Sequence, residues 1–73
     1  MDNFSRTILG ERLKMLRTEK QIGQNFLAKE LGISNSSISY WETGKQEPSA
    51  QAIFKLAKYF NVSSDYILGL KDD

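Results

Sequence analysis

Apolar residues recur at helical spacing along most of the chain. Leu9, Leu13 and Leu16 stand at i, i+4 and i+7, so a helix would present all three leucines on one face. Ser5 or Thr7 can supply the N-cap, because a serine or threonine hydroxyl accepts a hydrogen bond from a backbone N–H of the first turn. The spacing therefore predicts a first amphipathic helix that runs to about residue 20.

The next apolar positions predict a short helix over residues 24–31. Its buried stripe is formed by Leu27, Ala28 and Leu31. Gly32 follows at the position where a helix C-terminus favours a left-handed residue, because glycine has no Cβ to clash. The pattern thus predicts a sharp turn directly after this helix.

A third helix is predicted over residues 35–43, on the far side of the turn. Ser34 is a natural N-cap, and Ile38 and Trp41 lie three positions apart on the face that would turn inward. Gly44 ends the helix. We expect one face of this helix to be packed on the core and the other to be free.

Two more helices are predicted in the C-terminal part. Residues 49–60, capped by Ser49, contain the clearest amphipathic stripe of the chain, and Ser63 opens a short helix over 63–68. No segment alternates as a half-buried strand would. The sequence therefore predicts an all-α fold of five helices in one domain over residues 1–73. The expected core consists of Leu9, Leu13, Leu16, Leu27, Leu31, Ile38, Trp41, Ile53, Leu56, Phe60 and Ile67.

The composition excludes several kinds of functional site. The chain contains no cysteine and no histidine, which removes disulfides, thiolate metal sites and the usual general base. We therefore expect no metal, no cofactor and no enzymatic activity. The apolar runs are far too short for a membrane span, and the N-terminus lacks the apolar segment of a signal peptide. These features favour a cytoplasmic protein without membrane contact.

Charge is distributed unevenly along the chain. Residues 5–45 carry seven basic and four acidic side chains, a net charge of +3, whereas the remaining residues carry −2. A surface that binds a polyanion should therefore lie in the first part. These charged side chains could also belong to helix faces that contact only water, and charge alone does not exclude this alternative.

Four segments of the chain carry a family resemblance. They are Gln24–Ser34, Ile38–Lys45, Glu47–Ser49 and Leu56–Gly69. Together they closely resemble the Cro/CI-type (XRE-family) helix-turn-helix domains of bacterial and phage repressors, and the resemblance covers about residues 8–69.

The resemblance implies both a fold and a function. The fold is a compact five-helix, lambda-repressor-like DNA-binding domain whose helix-turn-helix motif spans about residues 24–43. The implied function is that of a sequence-specific transcriptional regulator, a repressor. Such a protein inserts the helix over residues 35–43 into the major groove of operator double-stranded DNA, as a dimer.

The resemblance places base-reading side chains on the third helix. They are Asn35, Ser36, Ser39 and Tyr40. Asn35 can pair with N6 and N7 of adenine, whereas serine hydroxyls donate or accept and discriminate weakly alone. Tyr40 can place its ring on a thymine methyl group or its hydroxyl on a phosphate. For the serines and Asn35, a capping role beside the helix start is the alternative.

Phosphate contacts are expected at both edges of the motif. The residues concerned are Gln24, Ser34, Ser37, Thr43 and Lys45. Gln24 begins a helix, where its amide and the exposed backbone N–H groups can meet a phosphate oxygen, and the family uses a glutamine there. Thr43 and Lys45 match family positions that touch the DNA backbone on the far side of the groove. The resemblance also pairs Arg17 with Glu42 in an internal salt bridge.

Other functions on the same scaffold stay open. The third helix departs from the family pattern because it contains no lysine or arginine, and Glu42 is its only charge. The alternatives to a DNA-binding regulator are the antitoxin of a toxin–antitoxin pair and a protein-interaction module that has lost DNA binding. A gel shift at several salt concentrations distinguishes the last of these from a regulator.

We expect the chain to form a homodimer through its C-terminal segment. The apolar residues proposed for this surface are Tyr59, Tyr66, Leu68 and Leu70. The alternative is that Tyr66 and Leu68 fold back onto the first helix. A further C-terminal domain or a protein partner is compatible with the resemblance, because repressors of this family often continue past such a terminus.

Overall fold

The computed structural model describes residues 3–72 and folds them into five helices. They are α1 (Arg6–Glu19), α2 (Gln24–Leu31), α3 (Asn35–Glu42), α4 (Ala50–Phe60) and α5 (Ser64–Leu68). This range contains no strand, so the all-α class and the five predicted helices are confirmed. The bounds differ where the prediction counted a capping residue as helical, as at Thr43, the C-cap of α3. None of the five helices has the length and apolar content needed to cross a membrane.

Serine caps fix the starts of four of the five helices in residues 3–72. The hydroxyls of Ser5, Ser34, Ser49 and Ser63 each accept a hydrogen bond from the backbone N–H three residues later. Such a cap stabilises a helix by about 1 kcal/mol. α2 differs, because it begins after Gly23 and has no side-chain cap. Of the two candidates for the first cap, the structure selects Ser5.

The turn between α2 and α3 depends on Gly32. This residue has a left-handed backbone conformation with φ of 68°, which residues with a Cβ rarely adopt. The next residue, Ile33, donates its N–H to the carbonyl oxygen of Ala28 at 2.9 Å, which closes the end of α2. The predicted sharp turn is therefore present, and it sets the direction in which α3 leaves α2.

All five helices contribute to one hydrophobic core. Nine of the eleven predicted core residues are buried, but Leu16 and Ile53 are only partly buried. Leu16 lies in the last turn of α1, at the edge of the core. α4 turns Ala52 and Leu56 inward, which moves Ile53 to the margin of its stripe. The buried residues are Leu9, Leu13, Leu27, Ala28, Leu31, Ile38, Trp41, Ala52, Leu56, Phe60 and Ile67.

α1 and α3 approach each other closely at Gly10. A Cβ atom at this position would lie 2.5 Å from the carbonyl oxygen of Trp41 and 2.7 Å from that of Glu42. Only a glycine allows the two helices to come this near. The sequence held a signal, because a glycine inside a helix costs about 1 kcal/mol relative to alanine and usually has a packing reason. The apolar pattern alone assigned it no role.

The C-terminal segment packs back onto α1. The guanidinium of Arg12 lies 4.6 Å from the centre of the Tyr66 ring and donates hydrogen bonds to the carbonyl oxygens of Tyr66 and Lys71. Tyr66 and Leu68 are half-buried against the core, whereas Leu70 is 71% exposed. The structure shows the alternative considered for Tyr66 and Leu68, because a cation–π contact holds Tyr66 on α1 and core packing covers part of both residues.

We expect Gly10→Ala to lower the free energy of unfolding by about 1–3 kcal/mol, because the new methyl group meets two backbone carbonyls that cannot move without shifting α3. Urea denaturation measures this change. Gly23→Ser is the control, since its Cβ enters open space and its hydroxyl can cap α2. The control should be at least as stable as the parent. A Gly10→Ala protein with unchanged stability would contradict the close contact.

Candidate nucleic-acid interface

The outer face of α3 carries the four predicted base-reading residues. Ile38 and Trp41 are buried and hold the inner face of α3 on the core. At about 100° per residue, the four predicted residues fall within an arc of about 140° on the other side. Two of them are exposed beside the helix start, the third is half-buried, and Tyr40 is 39% exposed. The structure thus brings together Asn35, Ser36, Ser39 and Tyr40 on one accessible surface.

Asn35 is held by a residue that the sequence analysis did not single out. Its Nδ2 donates a hydrogen bond to Oδ1 of Asn25, in the first turn of α2, at 2.7 Å. Both side chains are exposed. No sequence signal points to this pair, because it depends on how the start of α2 lies beside the start of α3.

The serines at the start of α3 form a hydroxyl cluster. Ser34 accepts the N–H of Ser37, and its hydroxyl lies 2.9 Å from that of Ser37 and 3.2 Å from that of Ser36. Ser34 and Ser37, both predicted to contact phosphate, therefore also shape the helix start. The capping role considered for these serines is confirmed for Ser34.

Gln24 lies at the start of α2 and is tied to α3. Its Nε2 donates to Oε1 of Glu42 at 3.0 Å, and the side chain is half-buried. This bond uses one N–H of the amide and leaves the other N–H and the carbonyl oxygen for another partner. Because Gly23 supplies no capping side chain, the first backbone N–H groups of α2 can also meet an anion.

The carboxylate of Glu42 is paired with the guanidinium of Arg17 inside the protein. Nε of Arg17 lies 2.6 Å from Oε2 of Glu42, and Nη2 lies 3.0 Å from Oε1. The two side chains are 12% and 3% exposed. The hydrogen bond to Glu42 raises the pKa of Arg17 above its usual value, against the opposing effect of burial. The only charge on α3 thus does not face the surrounding solution, so it cannot repel a phosphate backbone strongly.

Two predicted phosphate-binding residues lie beyond the end of α3. The ammonium of Lys45 is 5.9 Å from the centre of the Tyr40 ring. The hydroxyl of Thr43 donates to the carbonyl oxygen of Ser39 at 2.9 Å, which commits its hydrogen to the helix. In this conformation Lys45 is the stronger of the two candidates. Lys45 approaches the exposed face of α3 from the loop after the helix, whereas Gln24 approaches α3 from the start of α2.

Comparisons with known sequences identify a helix-turn-helix family and related regulators. A family model described as Helix-turn-helix matches residues 13–67. The chain is 40% identical over 58 residues to the HTH-type transcriptional activator BcrR of Enterococcus faecalis, and 38% identical over 61 residues to Repressor protein C2 of Salmonella phage P22. The matches cover 80% and 84% of this chain but 28% of each relative, so the chain spans less than a third of their length.

A solved structure of similar fold contains DNA. The crystal structure of the P22 c2 repressor in complex with a synthetic operator has a TM-score of 0.80 to this chain, at 38% identity. The match covers 84% of this chain and 92% of the other.

We expect Glu42→Ala to lower the free energy of unfolding by about 3–5 kcal/mol, because it leaves the Arg17 charge buried without its partner. For a domain of this size each kcal/mol lowers the melting temperature by about 4–8 °C, so thermal denaturation resolves the effect easily. Glu47→Ala is the matched control. It removes an ion pair to Arg6 of 3.6 Å in which both side chains are 52% exposed, and we expect a loss of about 0–1 kcal/mol. Equal melting temperatures for the two variants would contradict a structural role for Glu42.

Proposed function

The chain belongs to the helix-turn-helix family, and on that premise we propose that it is a sequence-specific transcriptional regulator that represses by binding operator double-stranded DNA. The observation that carries the proposal is the polar outer face of α3, which is accessible while Ile38 and Trp41 hold the helix from behind. The similarity to a repressor whose structure contains an operator supports the same conclusion. Because the matched relatives are regulators, we propose no enzymatic activity, and because the ligand is operator DNA, a cytoplasmic location.

In the proposed complex α3 lies in the major groove. Asn35 pairs with an adenine through its carbonyl oxygen and one N–H, and the hydroxyls of Ser36 and Ser39 add weaker polar contacts. Tyr40 offers its ring to a thymine methyl group. Since these side chains are neutral, they discriminate between bases by hydrogen-bond pattern and shape rather than by charge.

Phosphate contacts position α3 in the groove. Gln24 and the free N–H groups of α2 meet one strand, and Lys45 meets the other. Thr43 joins Lys45 when its hydroxyl turns from the carbonyl oxygen of Ser39 to a phosphate oxygen. Ser34 and Ser37 add hydroxyl contacts near the helix start. Lys45 carries the main electrostatic contribution among these residues, because the other four are uncharged.

We expect Asn35→Ala and Tyr40→Ala to weaken binding to the preferred operator by about 1–3 kcal/mol each and to leave nonspecific binding nearly intact. Gln24→Ala and Lys45→Ala should weaken binding to all sequences alike. The lysine change should also reduce the salt slope of the binding constant by about one. Titration of fluorescent duplexes, first selected from random DNA, measures all four variants. An unaltered selected consensus in the Asn35 and Tyr40 variants would contradict the proposal.

We propose that the regulator binds as a two-fold dimer. One α3 helix offers four uncharged side chains, and a good bidentate base contact provides only about 1–3 kcal/mol. This falls short of the nanomolar affinities typical of specific regulators. Two copies with their α3 helices about 34 Å apart would reach successive major grooves on one side of a palindromic site.

The dimer surface that remains available is smaller than the sequence predicted. Leu70 is 71% exposed and Phe54 is 63% exposed, and each shares a shallow hollow with the half-buried Leu68. Large exposed apolar side chains grouped in this way are typical of a protein contact. We therefore propose Leu70 and Phe54 as the centre of the contact between the two copies.

We expect Leu70→Ser and Phe54→Ser each to weaken the binding of the second copy by about 10- to 100-fold. Each change removes the free energy gained when one large apolar side chain is buried in the contact. Met15→Ser is the control, because Met15 is an apolar residue of α1 that is 51% exposed. Sedimentation velocity with a selected duplex counts the chains in each complex. A parent protein that binds with full affinity as one chain per duplex would contradict the dimer.

The same exposed apolar residues favour a second candidate function. Leu70 and Phe54 would equally suit a different protein partner, as in an antitoxin or an interaction module. We prefer the regulator to these alternatives, and we propose that residues 1–73 form one domain. A further C-terminal domain in the same protein is compatible with this proposal. An interaction module without DNA binding would give no salt-sensitive gel shift.

A further inference from the structure

Asn25 lies at the junction of α2 and α3 and bonds directly to the main proposed base reader. The two asparagines are ten positions apart in sequence, on different helices, with 2.7 Å between Nδ2 of Asn35 and Oδ1 of Asn25. Both side chains are exposed. Because a hydrogen bond between neutral groups in contact with water adds little net stability, the bond is better placed to orient a side chain than to hold the fold together.

The donors and acceptors of Asn35 show what the bond accomplishes. A carboxamide has two N–H donors and one carbonyl acceptor. Asn25 takes one N–H, which leaves the second N–H and the carbonyl oxygen, the two groups that meet N7 and N6 of adenine. With the Asn25 amide in its present orientation, turning the Asn35 amide over would bring its carbonyl oxygen against that of Asn25, acceptor against acceptor. Asn25 therefore favours the orientation in which the adenine-pairing groups point away from α2.

The framework around Asn25 fixes where its backbone lies. Its neighbour Gln24 is hydrogen-bonded to Glu42 at 3.0 Å, which anchors the first turn of α2. The left-handed turn at Gly32, with a φ of 68°, sets the crossing of α2 and α3. These two constraints hold the backbone of Asn25 at a constant place relative to the start of α3, so its side chain starts within reach of Asn35.

We propose that Asn25 is a positioning residue for base recognition, which orients the Asn35 carboxamide and so strengthens the preference for adenine at one operator position. The inference rests on the proposed function, namely that α3 reads operator DNA. It adds a residue outside α3 to the determinants of specificity. The physical basis is preorganisation, because a side chain already held in its binding orientation loses less freedom when it meets the base.

The test compares binding to four duplexes that differ only at the base pair read by Asn35. Asn35→Ala should reduce the preference for adenine by about 10-fold or more. Asn25→Ala should reduce the same preference by about 2- to 12-fold, the effect of ordering one free side chain. Asn25→Asp keeps the acceptor, so it should retain the preference even if its negative charge weakens binding to all four duplexes equally. In the Asn35→Ala background, Asn25→Ala should cause no further loss.

The arms of this experiment separate two kinds of failure. If Asn35→Ala lowers the preference and Asn25→Ala does not, the positioning role is wrong and the proposed function stands. If Asn25→Ala weakens all four duplexes equally, Asn25 is a phosphate contact and the inference is again overturned. If Asn35→Ala leaves the preference unchanged at every position, the proposed reading face fails and the inference fails with it. Rescue by Asn25→Asp together with loss in Asn25→Ala supports the proposal.

Discussion

The ion pair between Arg17 and Glu42 is the interaction on which the geometry of the helix-turn-helix depends. It joins the last turn of α1 to the last residue of α3, and further hydrogen bonds connect both side chains to the segment at the start of α2. Arg17 also donates to the carbonyl oxygen of Ile22 at 2.8 Å, before α2, and Gln24 donates to the same carboxylate. Desolvation offsets much of the attraction in a buried pair. The main contribution of the Arg17–Glu42 pair is therefore to fix where α2 begins and where α3 ends.

α3 is held at both ends by different means. At its C-terminal end, the ion pair acts together with the close contact at Gly10, which brings α1 against the carbonyls of Trp41 and Glu42. At its N-terminal end, the turn at Gly32 and the Ser34 cap set its direction. A helix constrained in this way presents its outer face in one orientation, which a reader of base edges requires.

Local signals made most of the fold predictable from the sequence. Serine caps and Gly32 mark helix ends through the backbone within a few residues, and these assignments are confirmed. The rotation of α4 is not a local property, so Ala52 rather than Ile53 faces the core. The residues on the α3 face came from a family resemblance, but their partners did not. The bond to Asn25 depends on how two helices cross, which periodicity along one helix does not contain.

The proposed recognition surface on α3 carries no positive charge, and this limits how it can select a sequence. With Glu42 neutralised by Arg17, the outer face of α3 neither attracts nor repels the phosphate backbone strongly. In the proposed complex, charged groups near this face, such as Lys45, would bring the protein to DNA of any sequence. Discrimination between bases by this proposed face would then come from neutral hydrogen bonds, whose energy depends on direction and is lost when a donor meets a donor or an acceptor meets an acceptor. Such a surface depends on orientation more than a cationic one does, and the network of caps and amide contacts around Asn35 provides that orientation.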